Sequence, residues 1–315
     1  MSFSNAPDRR VLGRVAGALG VDEAFVEKDW FVVQAIRMLV ACGTDDIQPV
    51  FSGGTSLLKG HGLINRFSED IDFKLVLSPA FEELSGNQQS KRLKAFREAL
   101  AGAWTEQGFI LNDVQSRDSY RFIQVEMRYP TVLSGHPSLR PHILAEISAK
   151  PPKMTAIVRP LRSFVAQAAK AEEEVAAAPC VDPVETAADK LSALAWRVAA
   201  RDRNAETDDP TIIRHLHDLA ALENAITGSA EFSPLVLNVF QADRQRGGGV
   251  LAEMPPPGRL AALRERLGQD ALYREEYDRY VAAIAFAGPP EVLSFDLALT
   301  ALERISTEAL ATWAY

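Results

Sequence analysis

Along the first forty residues, apolar and polar positions alternate with the period of a helix. Asp8 predicts the cap of VLGRVAGAL and Gly20 its end, and Asp22 predicts the cap of a longer run, EAFVEKDWFVVQAIRMLVAC, stopped at Gly43. Val26, Trp30, Val33, Ile36 and Val40 fall on one face of that run, which gives it a packing side. From Gln48 the period shifts. QPVFSGG reads as a strand entering a glycine turn, TSLLKGHG as a short helix, and IDFKLVLS (71–78) as a second strand. An amphipathic helix over 87–108 ends at Gly108, and FILNDVQ, SYRFIQVEMRYP and RPHILAEISAK follow as three β-rich segments. This order predicts a mixed sheet with helices, of the α/β or α+β class.

Over residues 166–182 the pattern fades into AQAAKAEEEVAAAPCVD, poor in large apolar residues, and this stretch reads as a linker between a domain over 1–165 and a second over 183–315. The second reads as helical throughout. Asp182-Pro183-Val184-Glu185 combines a cap, a proline at the first helical position and a glutamate three residues past the cap. Asp209-Pro210 repeats the start for TIIRHLHDLAALENAI, and GGG (247–249) and PPPG (255–258) punctuate later helices. No internal repeat is evident.

Composition changes this picture little. A chain of 315 residues suits two cores. The net charge of −8 argues against broad, sequence-blind nucleic-acid binding, although a local basic groove remains compatible with it. Two distant cysteines, Cys42 and Cys180, give neither a disulfide framework nor metal-ligand spacing. The polar start MSFSNAPDRR does not read as a signal peptide, and no apolar run approaches the roughly 18 residues of a membrane span. A cytoplasmic location is expected.

The chemistry concentrates in FSGGTSLLKGHGLINRFSEDIDFKL, residues 51–75. Side chains on a strand alternate faces, so Asp70 and Asp72 at a strand edge present two carboxylates side by side. Such a pair repels itself unless it shares a proton or a cation, and magnesium suits it, taking one or two carboxylates plus substrate phosphates. Two such ions about 3.5–4 Å apart stabilise both the attacking and the leaving oxygen of a phosphoryl displacement. Gly53 and Gly54 allow a phosphate close to the backbone, the helix starting near Thr55 offers free N–H groups, and Ser56 adds a hydroxyl. Alone, Asp-x-Asp is common at solvated strand ends, and Gly-Gly-Thr-Ser is more often a turn than a phosphate cradle. The order strand–GGTS–helix–SEDID–strand is the specific signal, and it is not a Walker A motif.

GGTSLLKG and RFSEDIDFKL resemble the signature of the AbiEii/AbiGii toxin family, within the nucleotidyltransferase superfamily of DNA polymerase β type. FVEKDWFVVQAIRML (25–39) resembles the family's N-terminal helix, and ADKLSALAWR (188–197) and RHLHDLAAL (214–222) its two downstream motifs. The resemblance implies an α+β fold, with a polymerase β-type nucleotidyltransferase domain of mixed sheet followed by a helical C-terminal domain. It implies that Asp70 and Asp72 bind Mg2+, and that the turn Gly53, Gly54, Thr55 and Ser56 cradles the phosphates of a nucleoside triphosphate (NTP). It implies that Lys190 reaches those phosphates, and that Asp218 assists at the acceptor hydroxyl or completes the site. A third metal carboxylate on a later strand falls to Glu146, among apolar neighbours, with Glu126 as its competitor.

The sequence departs from the family where an Arg-Asp pair is expected ahead of the final Asp-Leu. Position 215 is histidine, so Arg201-Asp202 or Arg214-His215 is the counterpart. His215 and His217, two apart on a helix, make a poor metal pair and read as ordinary polar or core residues. The resemblance further implies a toxin of a bacterial toxin–antitoxin or abortive phage-infection system, with a separately encoded antitoxin. The acceptor it implies is RNA, such as the 3′ end of tRNA, and Arg117, Arg121, Arg128, Lys150, Lys153, Arg159 and Arg162 are candidates to line an RNA groove. Two rival readings stay open: the same site acting on a protein or small-molecule hydroxyl, and a nucleotide-binding module without catalysis.

Overall fold

A computed structural model describes residues 3–246, 249–285 and 293–313. The chain divides into two compact units, Met1–Gly62 with Phe67–Val181, and Leu63–Arg66 with Asp182–Tyr315. The first holds helices α1 (Arg9–Leu19), α2 (Glu23–Ala41), α3 (Gly53–Lys59), α4 (Pro79–Glu82), α5 (Gly86–Gln107) and α6 (Phe164–Ala168). Its strands are β1 (Ile47–Ser52), β2 (Ile71–Leu77), β3 (Ile110–Arg117), β4 (Phe122–Arg128), β5 (Ile143–Ser148), β6 (Ile157–Leu161) and β7 (Val175–Cys180). They form a seven-stranded sheet in the order β3-β4-β5-β2-β1-β7-β6. β2 pairs with β5 and β1 with β7 in parallel, while the other neighbours are antiparallel, so the sheet is mixed as expected.

The alternation in the central strands decides which face is dry. Ile71, Phe73 and Leu75 of β2, Ile123, Val125 and Met127 of β4, and Ile143, Ala145 and Ile147 of β5 are buried in one core. Phe31, Ala35 and Leu39 of α2 and Leu93, Phe96, Leu100 and Trp104 of α5 complete that core. Trp104 Nε1 donates to the Ala35 carbonyl at 3.1 Å and pins the two helices together. The intervening strand positions, among them Asp72, Lys74, Gln124, Glu126, Glu146 and Ser148, are half-buried on the opposite face.

Two expectations change here. Helix α2 is not amphipathic: residues 24–36 are all buried, including Glu27, Lys28 and Asp29, and its burial therefore depends on partners for three charges. Residues 166–182, expected to be a linker, instead carry the end of α6 and the internal strand β7. Val175, Ala178 and Cys180 of that strand are buried, and small side chains in an inner strand leave no large-residue alternation to read in the sequence. The first unit accordingly runs through Val181, whose N–H donates to the Phe51 carbonyl at 2.8 Å.

The second unit is helical: α7 (Pro183–Ala200), α8 (Arg214–Ile226), α9 (Phe232–Ala242), α10 (Gly249–Glu253), α11 (Pro256–Gln269), α12 (Leu272–Ile284) and α13 (Phe295–Ala309). Asp182 caps α7 by accepting from the Val184 N–H, with Pro183 at its first position. α7 packs on α8, α9 and α11, and α8 on α13. Residues 247 and 248 of the predicted GGG break lie outside the described residues.

Candidate active site

Strand register assembles the carboxylates. Asp72 of β2 lies opposite Glu146 of β5 in the parallel pairing, and both are half-buried on the polar face. Asp70 is half-buried in the loop immediately before β2. Glu126 faces Leu144 in register, one strand further from β2, so Glu146 is the glutamate beside the Asp pair. Arg140 Nη1 donates to Asp70 Oδ1 at 2.5 Å. Among the described residues no three His, Cys, Asp or Glu side chains form a ready-made metal cage.

The glycine turn is built around Asp72. Gly53 has φ +74°, and a Cβ placed there would overlap the Asp72 carboxylate. Only glycine leaves that carboxylate its place against the backbone. Thr55 is fully buried, and its hydroxyl bonds Ser68 Oγ at 3.0 Å and the Asp70 carbonyl at 2.5 Å. Ser56 is also buried and lies beside the Cys180 thiol, which burial pushes up to about 11. The Thr55 hydroxyl is therefore committed to packing the turn and fixes the loop that carries Asp70.

Three consecutive charges of α2 tie separate loops to this region. Glu27 accepts from Thr131 Oγ1 at 2.5 Å and the Val132 N–H at 2.8 Å. Lys28 Nζ donates to Glu69 and to the carbonyls of Arg140 and His142 at 2.7 and 2.8 Å. Burial draws its pKa below the ordinary lysine value, against the pull of Glu69. Asp29 pairs with Lys59 at the end of α3 and accepts from the Phe164 N–H at 2.6 Å. Burial pushes that carboxyl up and that ammonium down, each opposed by its partner.

The helical unit has its own charged cluster. Asp218 of α8 is fully buried and accepts from Arg66 Nε and Nη2, both at 2.6 Å, while Lys190 Nζ of α7 stands 2.7 Å from Oδ2. Burial alone would raise the Asp218 carboxyl, but Arg66 and Lys190 hold it well below the usual carboxylate range. Burial lowers Lys190, with Asp218 opposing. Both oxygens of Asp218 are engaged, which makes it a poor base and a good anchor. Arg201 is committed to Asp208 at 2.7 Å and Glu276 at 2.6 Å, so it is not the partner of Asp218. Arg214 starts α8, one turn ahead of Asp218.

The model of the family described as nucleotidyl transferase AbiEii toxin, type IV toxin–antitoxin system, matches residues 37–301. The chain belongs to the AbiEii family. It is therefore a nucleotidyltransferase of the toxin class, as its motifs predicted. Among solved structures it is similar to MenT4, a nucleotidyltransferase toxin from Mycobacterium tuberculosis. The identity is 20%, the TM-score 0.47, and the match covers 93% of this chain and 98% of that one. No curated protein matches the chain.

Within this AbiEii chain, sequence reasoning missed four kinds of residue. Arg66 sits inside RFSEDID without a role in the motif reading, and Arg140 is not among the basic candidates. Glu27, Lys28 and Asp29 had a signal, since three adjacent charges inside an apolar helix need buried partners. Lys59, in GGTSLLK, is the partner that Asp29 takes. The expected RNA-groove residues are not gathered. Arg117 and Arg128 lie on β3 and β4 at one end of the sheet and Arg159 on β6 at the other, while Arg121 bonds Gln89 and Arg162 pairs with Glu173.

Proposed function

We propose that the protein moves a nucleoside monophosphate from an NTP to an acceptor hydroxyl with the help of Mg2+. We further propose that it is the toxin of a pair whose antitoxin is encoded separately. The observation that carries this reading is the register of Asp72 beside Glu146, with Asp70 just ahead of the same strand and Gly53 making room for the Asp72 carboxylate. Carboxylate oxygens are hard ligands that suit magnesium, which takes one or two of them and keeps positions for water and substrate phosphates. Asp70, Asp72 and Glu146 would hold it, and the ion would supply charge neutralisation at the reacting phosphate.

The remaining roles belong to the chain itself. The backbone of the Gly53-Gly54 turn, with the N–H groups of Gly54, Thr55 and Ser56, would lie against the β- and γ-phosphates. Lys190 would neutralise nucleotide phosphate, with Asp218 orienting it rather than taking the acceptor's proton. The acceptor we propose is RNA, with the tRNA 3′ end first. No helix among the described residues is long and apolar enough to cross a membrane, and the proposed substrates belong to the cytoplasm.

The test supplies each α-³²P NTP in turn with magnesium to total bacterial RNA and protein, with Asp72→Asn as the blank. Label on small RNA in the wild type, lost at least about a thousandfold in the variant, supports the reading. Label on protein alone replaces RNA by a protein acceptor. Transfer that survives Asp72→Asn overturns the metal assignment.

A further inference from the structure

We propose that Arg140 is a built-in rival of the metal for Asp70, and that it exchanges this carboxylate for the nucleotide's phosphates when metal and nucleotide enter together. The inference rests on Asp70 being a metal ligand. Nη1 of Arg140 holds Asp70 Oδ1 at 2.5 Å, so one oxygen of the proposed ligand already faces a cation. A carboxylate oxygen cannot serve a guanidinium and a metal ion at full strength together, because the two cations repel at such a separation.

The construction around Arg140 fixes its backbone and spares its head. The Arg140 N–H donates to Glu69 Oε2 at 3.2 Å, while the Arg140 carbonyl accepts from Lys28 Nζ at 2.7 Å and the His142 carbonyl from the same ammonium at 2.8 Å. Lys28 is fully buried, so this frame does not drift. The Arg140 side chain is 40% exposed and that of Asp70 26%, whereas Arg66, on the other engaged aspartate, is 5% exposed. Arg66 is therefore a sealed structural partner, and Arg140 a solvated one on a fixed stem, free to turn. A planar guanidinium so placed also matches phosphate, which a lysine matches only as a point charge.

Manganese as the metal probe gives a readout without turnover. Mn2+ is titrated by calorimetry and electron paramagnetic resonance, with and without a non-hydrolysable NTP analogue, on wild type, Arg140→Gln, Arg140→Lys and Asp70→Asn. Arg140→Gln keeps both backbone tethers, and its thermal unfolding is expected within a few degrees of wild type. It should bind Mn2+ about three- to tenfold more tightly without nucleotide, as expected when a solvated charge-assisted pair is removed, and the metal–nucleotide about tenfold more weakly. Arg140→Lys, which keeps the charge, should stay within about twofold of wild type for Mn2+ alone. Unchanged or weaker Mn2+ binding by Arg140→Gln, while Asp70→Asn abolishes binding, overturns the rivalry and leaves the metal assignment standing. Tighter Mn2+ with unchanged nucleotide affinity overturns the exchange. Wild-type Mn2+ binding by Asp70→Asn overturns the metal assignment itself, and the proposal with it.

Discussion

Asp72 in the sheet unit and Asp218 in the helical unit are both aspartates central to a family motif, yet their surroundings are opposite. Asp72 is half-buried beside another carboxylate, Glu146, in a place kept open by a residue without a Cβ. Asp218 is fully buried, with Arg66 on both oxygens and Lys190 on one. Like charges side by side on a sheet destabilise it unless a cation joins them. A buried, hydrogen-bonded ion cluster fails when one member is removed. Burial thus separates an aspartate on the half-buried face, where we propose a ligand binds, from one enclosed to hold other side chains.

The largest effect should come from breaking the sealed cluster. Asp218→Ala leaves Arg66 and Lys190 buried without their counter-charge and is expected to cost about 3–5 kcal/mol in urea unfolding. Asp72→Asn, on the half-buried face of the sheet, should change stability by about 1 kcal/mol or less. A loss below about 1 kcal/mol at Asp218, or a large one at Asp72, would erase the contrast drawn above.

The next effect sharpens the sheet side. Gly53→Ala demands an unfavourable backbone conformation and drives a methyl group into the Asp72 carboxylate. Stability should fall by about 1–2 kcal/mol. Transfer should fall more, about tenfold to a hundredfold, because the displaced carboxylate belongs to the proposed metal set. Thermal unfolding and label transfer on the same preparation check both. Equal losses in the two readouts would make the glycine a purely structural requirement.

Much of this was legible because the signals were local. The caps at Asp8, Asp22 and Asp182, the turn at Gly53 and the strand carrying Asp72 each follow from a few adjacent residues, and the structure has them in place. What stayed hidden was set by partners distant in sequence. Arg66 meets Asp218 across 152 residues, and Lys28 meets the Arg140 carbonyl across 112. No spacing rule joins such positions. β7 hid for a different reason, since alanines carry no face preference and the sheet alone decides that VAAAPC is a strand. The family resemblance supplied Lys190 and Asp218, but not the arginine between them.

The smallest effect probes the helical cluster through pH. Both ring nitrogens of His215 on α8 are buried without a hydrogen-bond partner among the described residues. Burial, reinforced by Lys190, Arg214 and Arg197 and opposed by Asp218, holds its pKa well below 6.5. The unfolded chain therefore takes up a proton near pH 6.5 that the folded protein refuses. Stability contributed by this group is complete above 6.5 and declines as pH falls, until the lowered folded pKa is reached. Between pH 6.5 and 5.5 the loss should be about 1 kcal/mol. Urea unfolding of wild type and His215→Leu across pH 5.5–7.5 measures it directly. The variant should lose that part of the slope while keeping the Asp218 contribution, which persists until pH nears the ordinary aspartate range around 3.8. An unchanged slope in His215→Leu would move the proton uptake to another group and show that the positive charge around Lys190 does not govern its neighbour.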